Sequence, residues 1–313
     1  MQLPRLTLAA LLFIPTAQPQ FRSEAHVIQV PVSVFDKKGR EIEGLTAADF
    51  QLLDDGIPQP AILDTFGTGV APISLVIAIQ TSGISTPALA KIRHVGGMFG
   101  PLVVGGRGAV AVITFAGDVK LACDFTADSA QLQNSFSTLK PTGYKQARML
   151  DAVGQAVLLM QKREGRKVIF LISETRDRGS DKKYPDTVAA IQRDGIEIFA
   201  AHYSAYATTW TAKPSDLPEP TGMDLGAIFT EVGRMAVTND IQALTDATGG
   251  SDYPFLKSRG LENSIEKLGV ELHAQYILSF PRPEDSTQGL HKIEVQVPSH
   301  PEARIKARKA WSY

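Results

Sequence analysis

The chain has 313 residues, 43% of them hydrophobic and 21% charged, with a formal net charge of -1 at pH 7. That is the composition of a folded globular protein with room for one large domain or two modest ones, and it excludes a largely disordered chain and any overall electrostatic pull toward nucleic acid or anionic lipid. The single cysteine, Cys123, excludes an intramolecular disulfide, so stability rests on the core.

Residues 1–20 carry Arg5, an apolar run from Leu6 to Ile14 and a small-residue exit at Pro15-Thr16-Ala17. This order predicts a secretory signal, too short to span a bilayer, and therefore a secreted or periplasmic protein with no stable membrane insertion after its removal. His26 to Phe35 alternates at period two and predicts a strand, with Pro31 confining it to an edge or marking a break. Asp36 to Gly39 supplies a turn, Leu45 to Phe50 a short capped helical turn, Phe50 to Leu53 a strand and Asp54-Asp55-Gly56 another turn.

From Ile73 apolar strands alternate with amphipathic helices. Strands are predicted at Ile73 to Ile79, Lys167 to Ile172 and Ile196 to Tyr203, and a hairpin at Gly108 to Phe115 with Val119 to Phe125. Helices are predicted at Pro87 to Phe99, Ser129 to Leu139, Arg148 to Glu164, Tyr184 to Arg193 and Met223 to Ala247, the last ending at Gly249-Gly250 after a Pro-rich surface loop from Ala207 to Thr221. Leu261 to Glu271 predicts a linking helix. Ala274 to Phe280, His291 to Val297 and Arg304 to Arg308 predict strands, the last with Arg and Lys on a solvated face.

The fold class expected is α/β, a doubly wound and mostly parallel sheet, with a smaller accessory β-domain formed from N- and C-terminal strands. Residues 24–70 and 258–313 are assigned to the accessory part and its linking helix, and residues 72–252 to the α/β domain. Cys123, within an apparent strand, reads as a buried inert thiol.

The strand Ile73 to Ile79 stops at Gln80-Thr81-Ser82-Gly83-Ile84-Ser85, followed by the helix-start signal Thr86-Pro87. Such strand-to-helix turns are where open α/β sheets place ligands. The stretch resembles the first motif of von Willebrand factor type A domains, Asp-x-Ser-x-Ser, with Gln80 at the Asp position, Ser82 retained and Ile84 at the second Ser. Anchoring the second motif, Gly-Gly-Thr-x-Leu-x-Asp-Ala, on Asp151-Ala152 puts Ala147 at its Thr, and the third, Thr/Ser-Asp-Gly, falls on Ser173-Glu174-Thr175 with Glu174 at its Asp. Val30 to Gly39, Gly44-Leu45-Thr46, Asp49-Phe50 and Asp55-Gly56 resemble the N-terminal signature of a bacterial, exported family related to these domains. Gln275 to Leu278, His291 to Val295 and Ala307-Arg308-Lys309 resemble its tail.

In that family a divalent cation sits at the carboxyl edge of the sheet and a partner's carboxylate completes its shell. The resemblance implies an adhesion-type protein-interaction module, not an enzyme, whose metal-ion-dependent adhesion site is degenerate. Mg²⁺ requires close to six oxygens with carboxylates among or behind them. Gln80 is neutral, Glu174 is one methylene too long, and Ile84 and Ala147 offer nothing, so no metal and no cofactor are expected. The expected binding site comprises Gln80, Thr81, Ser82, Ser85, Lys145, Arg148 and Glu174, with the cationic groups of Lys145, Arg148, Arg176 and Arg178 near Glu174 in the role of the ion. The expected partner is a protein, not nucleic acid. The alternatives are an atypical cation-dependent module and a hydrolase using Ser82, although no Gly-x-Ser-x-Gly elbow is present.

The six histidines show no metal-ligand spacing, and Asp54-Asp55-Gly56 lacks the spacing of a calcium loop and reads as a turn. His202 alone falls near the ligand-binding edge, where a hydrogen-bonded structural histidine is expected.

Overall fold

A computed structural model describes residues 27–64, 71–204, 239–283 and 288–312. The predicted signal over 1–20, the loop 207–221 and most of the helical stretch 223–247 lie outside these residues.

Central to the molecule is a six-stranded sheet. In chain order its strands are β5 (Ile73–Gln80), β6 (Ala109–Phe115), β7 (Val119–Thr126), β8 (Arg166–Ser173), β9 (Ile196–His202) and β10 (Asp252–Pro254), arranged β10-β9-β8-β5-β6-β7. All neighbours are parallel except β7, which returns antiparallel on β6 as the predicted hairpin. Every residue of β5 is buried, because the sheet is covered on both faces, and this is why its sequence runs apolar without alternation.

On one face Ile73, Leu75, Ile77 and Ile79 pack with α1 (Thr86–Ile92), α2 (Ser129–Ser137) and α6 (Ser258–Ala274). On the other, Val76 and Ala78 pack with α3 (Met149–Met160), α4 (Tyr184–Arg193) and α5 (Asp240–Thr248).

Local chemistry sets the helix ends. Asp128 caps α2 by accepting from the Ala130 and Gln131 N–H groups, and Asn239 caps α5 through Gln242 N. Gly249 closes α5 at φ +83, and at Gly250 a Cβ would come within 1.9 Å of the Ile198 carbonyl, so the pair does two separate jobs. The helix predicted to Phe99 ends at Ile92 and continues as short tight or wide turns through Gly96–Met98 and Gly100–Val104. Gly96 lies in this segment at a close contact, where a Cβ would meet the Phe136 ring at 2.7 Å.

The chain's first and last strands form two four-stranded sheets, β13-β1-β11-β4 and β14-β12-β2-β3. The members are β1 (Val27–Phe35), β2 (Gln51–Asp54), β3 (Ile57–Gln59), β4 (Ile62–Asp64), β11 (Tyr276–Pro281), β12 (Leu290–Gln296), β13 (Arg304–Ala307) and β14 (Ala310–Ser312). They enclose one apolar core of Val30, Val32, Val34, Leu52, Leu278, Phe280, Ile293 and Trp311. β1 is an interior strand, but β13 ends opposite Val32, so Pro31 has a strand partner on only one side and its missing N–H is tolerated there.

The two parts are joined by buried polar groups at the N-terminal edge of the large sheet. Arg166 donates to the Leu272 carbonyl at 2.6 Å and to Glu197 at 3.1 Å, and Gln275 Nε2 donates to Glu197 at 2.8 Å. Of the basic residues expected on a solvated face at the chain's end, Arg304 is exposed as expected, whereas Lys306 and Arg308 turn inward. Arg308 is buried, donating to the carbonyls of Ala310 at 2.8 Å, Gln29 at 3.4 Å and Gln192. Lys306 reaches Ser251 and the Gly250 carbonyl. Burial lowers the Arg308 pKa to about 10, and it remains charged at neutral pH.

Arg308→Ala strands carbonyls on both parts. It is expected to cost about 2–4 kcal/mol in urea unfolding, whereas Lys309→Ala, an exposed neighbour, costs about zero.

Candidate functional site

The carboxyl edge of the sheet is built around the end of β5. Gln80, Thr81, Ser82 and Ser85 are all buried. The Gln80 carboxamide accepts from the Glu174 N–H at 2.9 Å and donates to Ser82 Oγ at 2.7 Å, and Ser82 Oγ lies 3.3 Å from Ser85 Oγ. One side chain thus connects the first and third motifs. The lid over them is the 141–147 segment: Thr142 donates its N–H at 2.7 Å and its hydroxyl at 3.0 Å to the Thr81 carbonyl, and Gly83 N donates to the Tyr144 carbonyl at 3.0 Å.

Glu174 follows β8, buried, with its carboxylate 3.6 Å from the Arg178 guanidinium. Tyr203, just past β9, is buried beside Ser85 and Glu174. Burial first, and then the Glu174 charge, raise its pKa, so the phenol stays protonated.

The structure therefore brings Gln80, Thr81, Ser82, Ser85 and Glu174 together. Among the described residues, Arg178 meets Glu174. Arg148 does not: its guanidinium goes to Asp181 at 2.7 Å and Asp151 at 3.4 Å, because it stands one residue before α3 with Asp151 three residues on. Lys145 is exposed on the lid.

A second group of residues fixes the 174–183 loop, and sequence reasoning missed it. Asp177 accepts the Leu150 N–H at 3.0 Å, Ser180 Oγ accepts the Asp151 N–H at 3.1 Å, and Asp151 in turn accepts the N–H groups of Asp181 at 3.1 Å and Lys182 at 2.9 Å. The loop caps the free N–H groups of α3 while α3 caps the loop. The only sequence signal was Asp151 itself, the anchor of the second motif.

Of the positions that resemble cation ligands, Ile84 and Ala147 carry no side-chain oxygen, and Ala147 is tied instead by its backbone to Arg178 through bonds of 3.0 and 2.8 Å. The Gln80 oxygen serves Glu174 N, and the Ser82 oxygen serves Gln80. This donor set does not fit a hard divalent cation. Ser82 is inaccessible and bonded to Gln80 and Ser85, an arrangement that gives the hydrolase reading no support. His202, at the end of β9, pairs with Asp252 at 2.7 Å, as expected of a structural histidine. Cys123 is buried, and burial raises its thiol pKa, which fits an inert role.

Residues 92–214 match the family model described as the von Willebrand factor type A domain. Among curated proteins nothing matches. Similar solved structures include a von Willebrand factor type A protein from Catenulispora acidiphila, 9% identical, with 93% of this chain and 75% of that chain covered at a TM-score of 0.48. BatB from Bacteroides thetaiotaomicron is 14% identical, covering 63% of this chain and 99% of that chain at 0.43. Proximal thread matrix protein 1 from the mussel byssus, solved with a zinc-occupied MIDAS motif, is 13% identical, covering 71% and 50% at 0.46.

Replacing Gln80 with Leu removes the partners of a buried N–H and a buried hydroxyl together. Gln80→Leu is expected to lower unfolding stability by about 2–3 kcal/mol, while Lys145→Ala leaves it unchanged within about 0.5 kcal/mol.

Proposed function

We propose that this chain, which carries a von Willebrand factor type A domain, is an exported adhesion-type module that engages a protein partner through the carboxyl edge of its large sheet without a bridging cation. Such domains are interaction modules. The absence of a cation and the export are our own reading, and no described helix is long and apolar enough to cross a membrane.

One observation carries the metal-free reading: the Gln80 carboxamide, bonded at once to Glu174 N and Ser82 Oγ, uses the oxygens a cation would need. The charge the cation would supply is replaced by Arg178, close enough to Glu174 to compensate the buried carboxylate. Among the described residues, the lid is one of the segments that the edge presents outward. Tyr144 is 46% exposed, and Gly143, Lys145 and Gln146 are exposed beside it. The Tyr144 ring lies over Gly117, where a Cβ would come within 2.5 Å of it. A half-exposed aromatic fixed by its own backbone bond is the type of residue that anchors protein interfaces.

The test is thermal unfolding of the chain in EDTA and then in millimolar Mg²⁺. A ligand selective for the native state raises the midpoint once it exceeds its dissociation constant. The expected result is no shift with Mg²⁺. A clear rise that Glu174→Ala abolishes would restore cation-bridged adhesion in place of this reading.

A further inference from the structure

The turn Asp54-Asp55-Gly56 carries no cation signal in the sequence, but the fold adds a residue to it from the far end of the chain. β2 pairs antiparallel with β12, with Ile293 opposite Asp54, so the two residues before Ile293 run alongside the turn. Asp55 N and the Lys292 carbonyl bond at 2.9 Å, and Lys292 N donates to Asp55 Oδ1 at 2.8 Å. His291 Nδ1 then lies 2.8 Å from Asp55 Oδ2. Successive residues of a strand face opposite ways. Asp55 leaves the strand at φ +49, and its carboxylate comes to the same side as that of Asp54. One ligand atom from each of Asp54, Asp55 and His291 lies within 4.8 Å of the other two, and no other such group of three occurs among the described residues.

Groups outside the three hold each of them. The Trp311 indole N–H donates to Asp54 Oδ1 at 2.9 Å, and its ring stacks on the His291 imidazole at 4.4 Å between centroids and 15° between planes. Asp54 and His291 are buried, whereas Asp55 is half exposed and forms the open side. Each carboxylate has one oxygen oriented by a donor. In bound metal sites outer partners likewise orient the ligands; here Asp55 Oδ2 and His291 Nδ1 share a hydrogen bond, whose proton an incoming ion displaces. Donors on a tetrahedral ion at bond lengths near 2.1 Å stand about 3.4 Å apart, so the His291–Asp55 pair has to open by only about 0.6 Å to hold one.

We propose that Asp54, Asp55 and His291 bind a divalent transition-metal ion of the zinc type, with two carboxylates and one imidazole as ligands and water on the Asp55 side. The mixed nitrogen and oxygen set favours such an ion over Mg²⁺, which takes oxygen alone. Bound there, the ion joins β2 to β12, and so joins the chain's N-terminal strands to its C-terminal ones.

The test is calorimetric titration of the full chain with Zn²⁺ in EDTA-stripped buffer, with the His imidazole resonances followed by NMR. One equivalent is expected to bind and to shift the His291 resonances. Asp55→Asn, which keeps an oxygen for Lys292 N at a half-exposed position, and His291→Gln are each expected to weaken binding about tenfold or more. Both variants should match the parent in far-UV circular dichroism and keep a cooperative metal-free melt, with His291→Gln at a lower midpoint because it loses the stack on Trp311. No binding, or binding that neither variant changes, overturns the proposal. Zn²⁺ binding abolished by Glu174→Ala but kept in Asp55→Asn would place the ion at the other edge, overturning this proposal and the metal-free reading together. Loss in Asp55→Asn alone leaves the metal-free reading standing.

Discussion

Strand β5 is buried on both faces and flanked by strands on both edges, and the arrangement of the molecule follows from that. A strand in this position has no water available for whatever polar group ends it. Gln80 resolves the problem internally, with one carboxamide group serving two loops. Because it joins β5 to the turn after β8, the two central strands finish at a common level and the surrounding loops inherit a fixed floor. The lid over that floor is held chiefly by backbone bonds, from Thr142 and Gly83, so its position does not depend on the identity of most of its side chains.

Charge around this floor is arranged in short local circuits. Glu174 faces Arg178, Arg148 is shared by Asp151 and Asp181, and Asp151 and Asp177 exchange backbone donors across the gap between α3 and the 174–183 loop. A bound cation holds several loops by central attraction. Here the same loops are held by many directional bonds of modest individual strength. The described loops of this edge are therefore held in place by the fold itself.

Much of this was legible in the sequence because long periodic segments leave little choice. The β5 run, the β6–β7 hairpin and the helix over Tyr184 to Arg193 all follow from spacing, and the convergence of Gln80, Ser82 and Glu174 follows from motif resemblance. The three-residue strands β3, β4, β10 and β14 are too short to show a period. Arg304, Lys306 and Arg308 alternate like an exposed face, and alternation cannot tell whether a polar face meets water or another part of the protein. Arg308 meets carbonyls. His291 and Asp55 are 236 residues apart, and only the β2–β12 register puts them in contact. Arg148 shows the opposite failure: it lies where proximity suggested a role, but nearer aspartates claim it.

The way the large sheet is spliced into the smaller part bears on how the molecule carries force. Its entry leg leaves from β4 and its exit leg arrives at β11, and these two strands are antiparallel neighbours, with Leu63 opposite Leu278. Tension applied to the carboxyl edge would therefore draw both legs in the same direction, as a pair. They would not peel from one another one hydrogen bond at a time. Instead the load would fall on the six-residue register between β11 and β1, from Val27–Pro281 to Val32–Tyr276, where many bonds must slide at once. Held at the end of β1 that carries Val27, the pair would therefore be loaded in shear along that register.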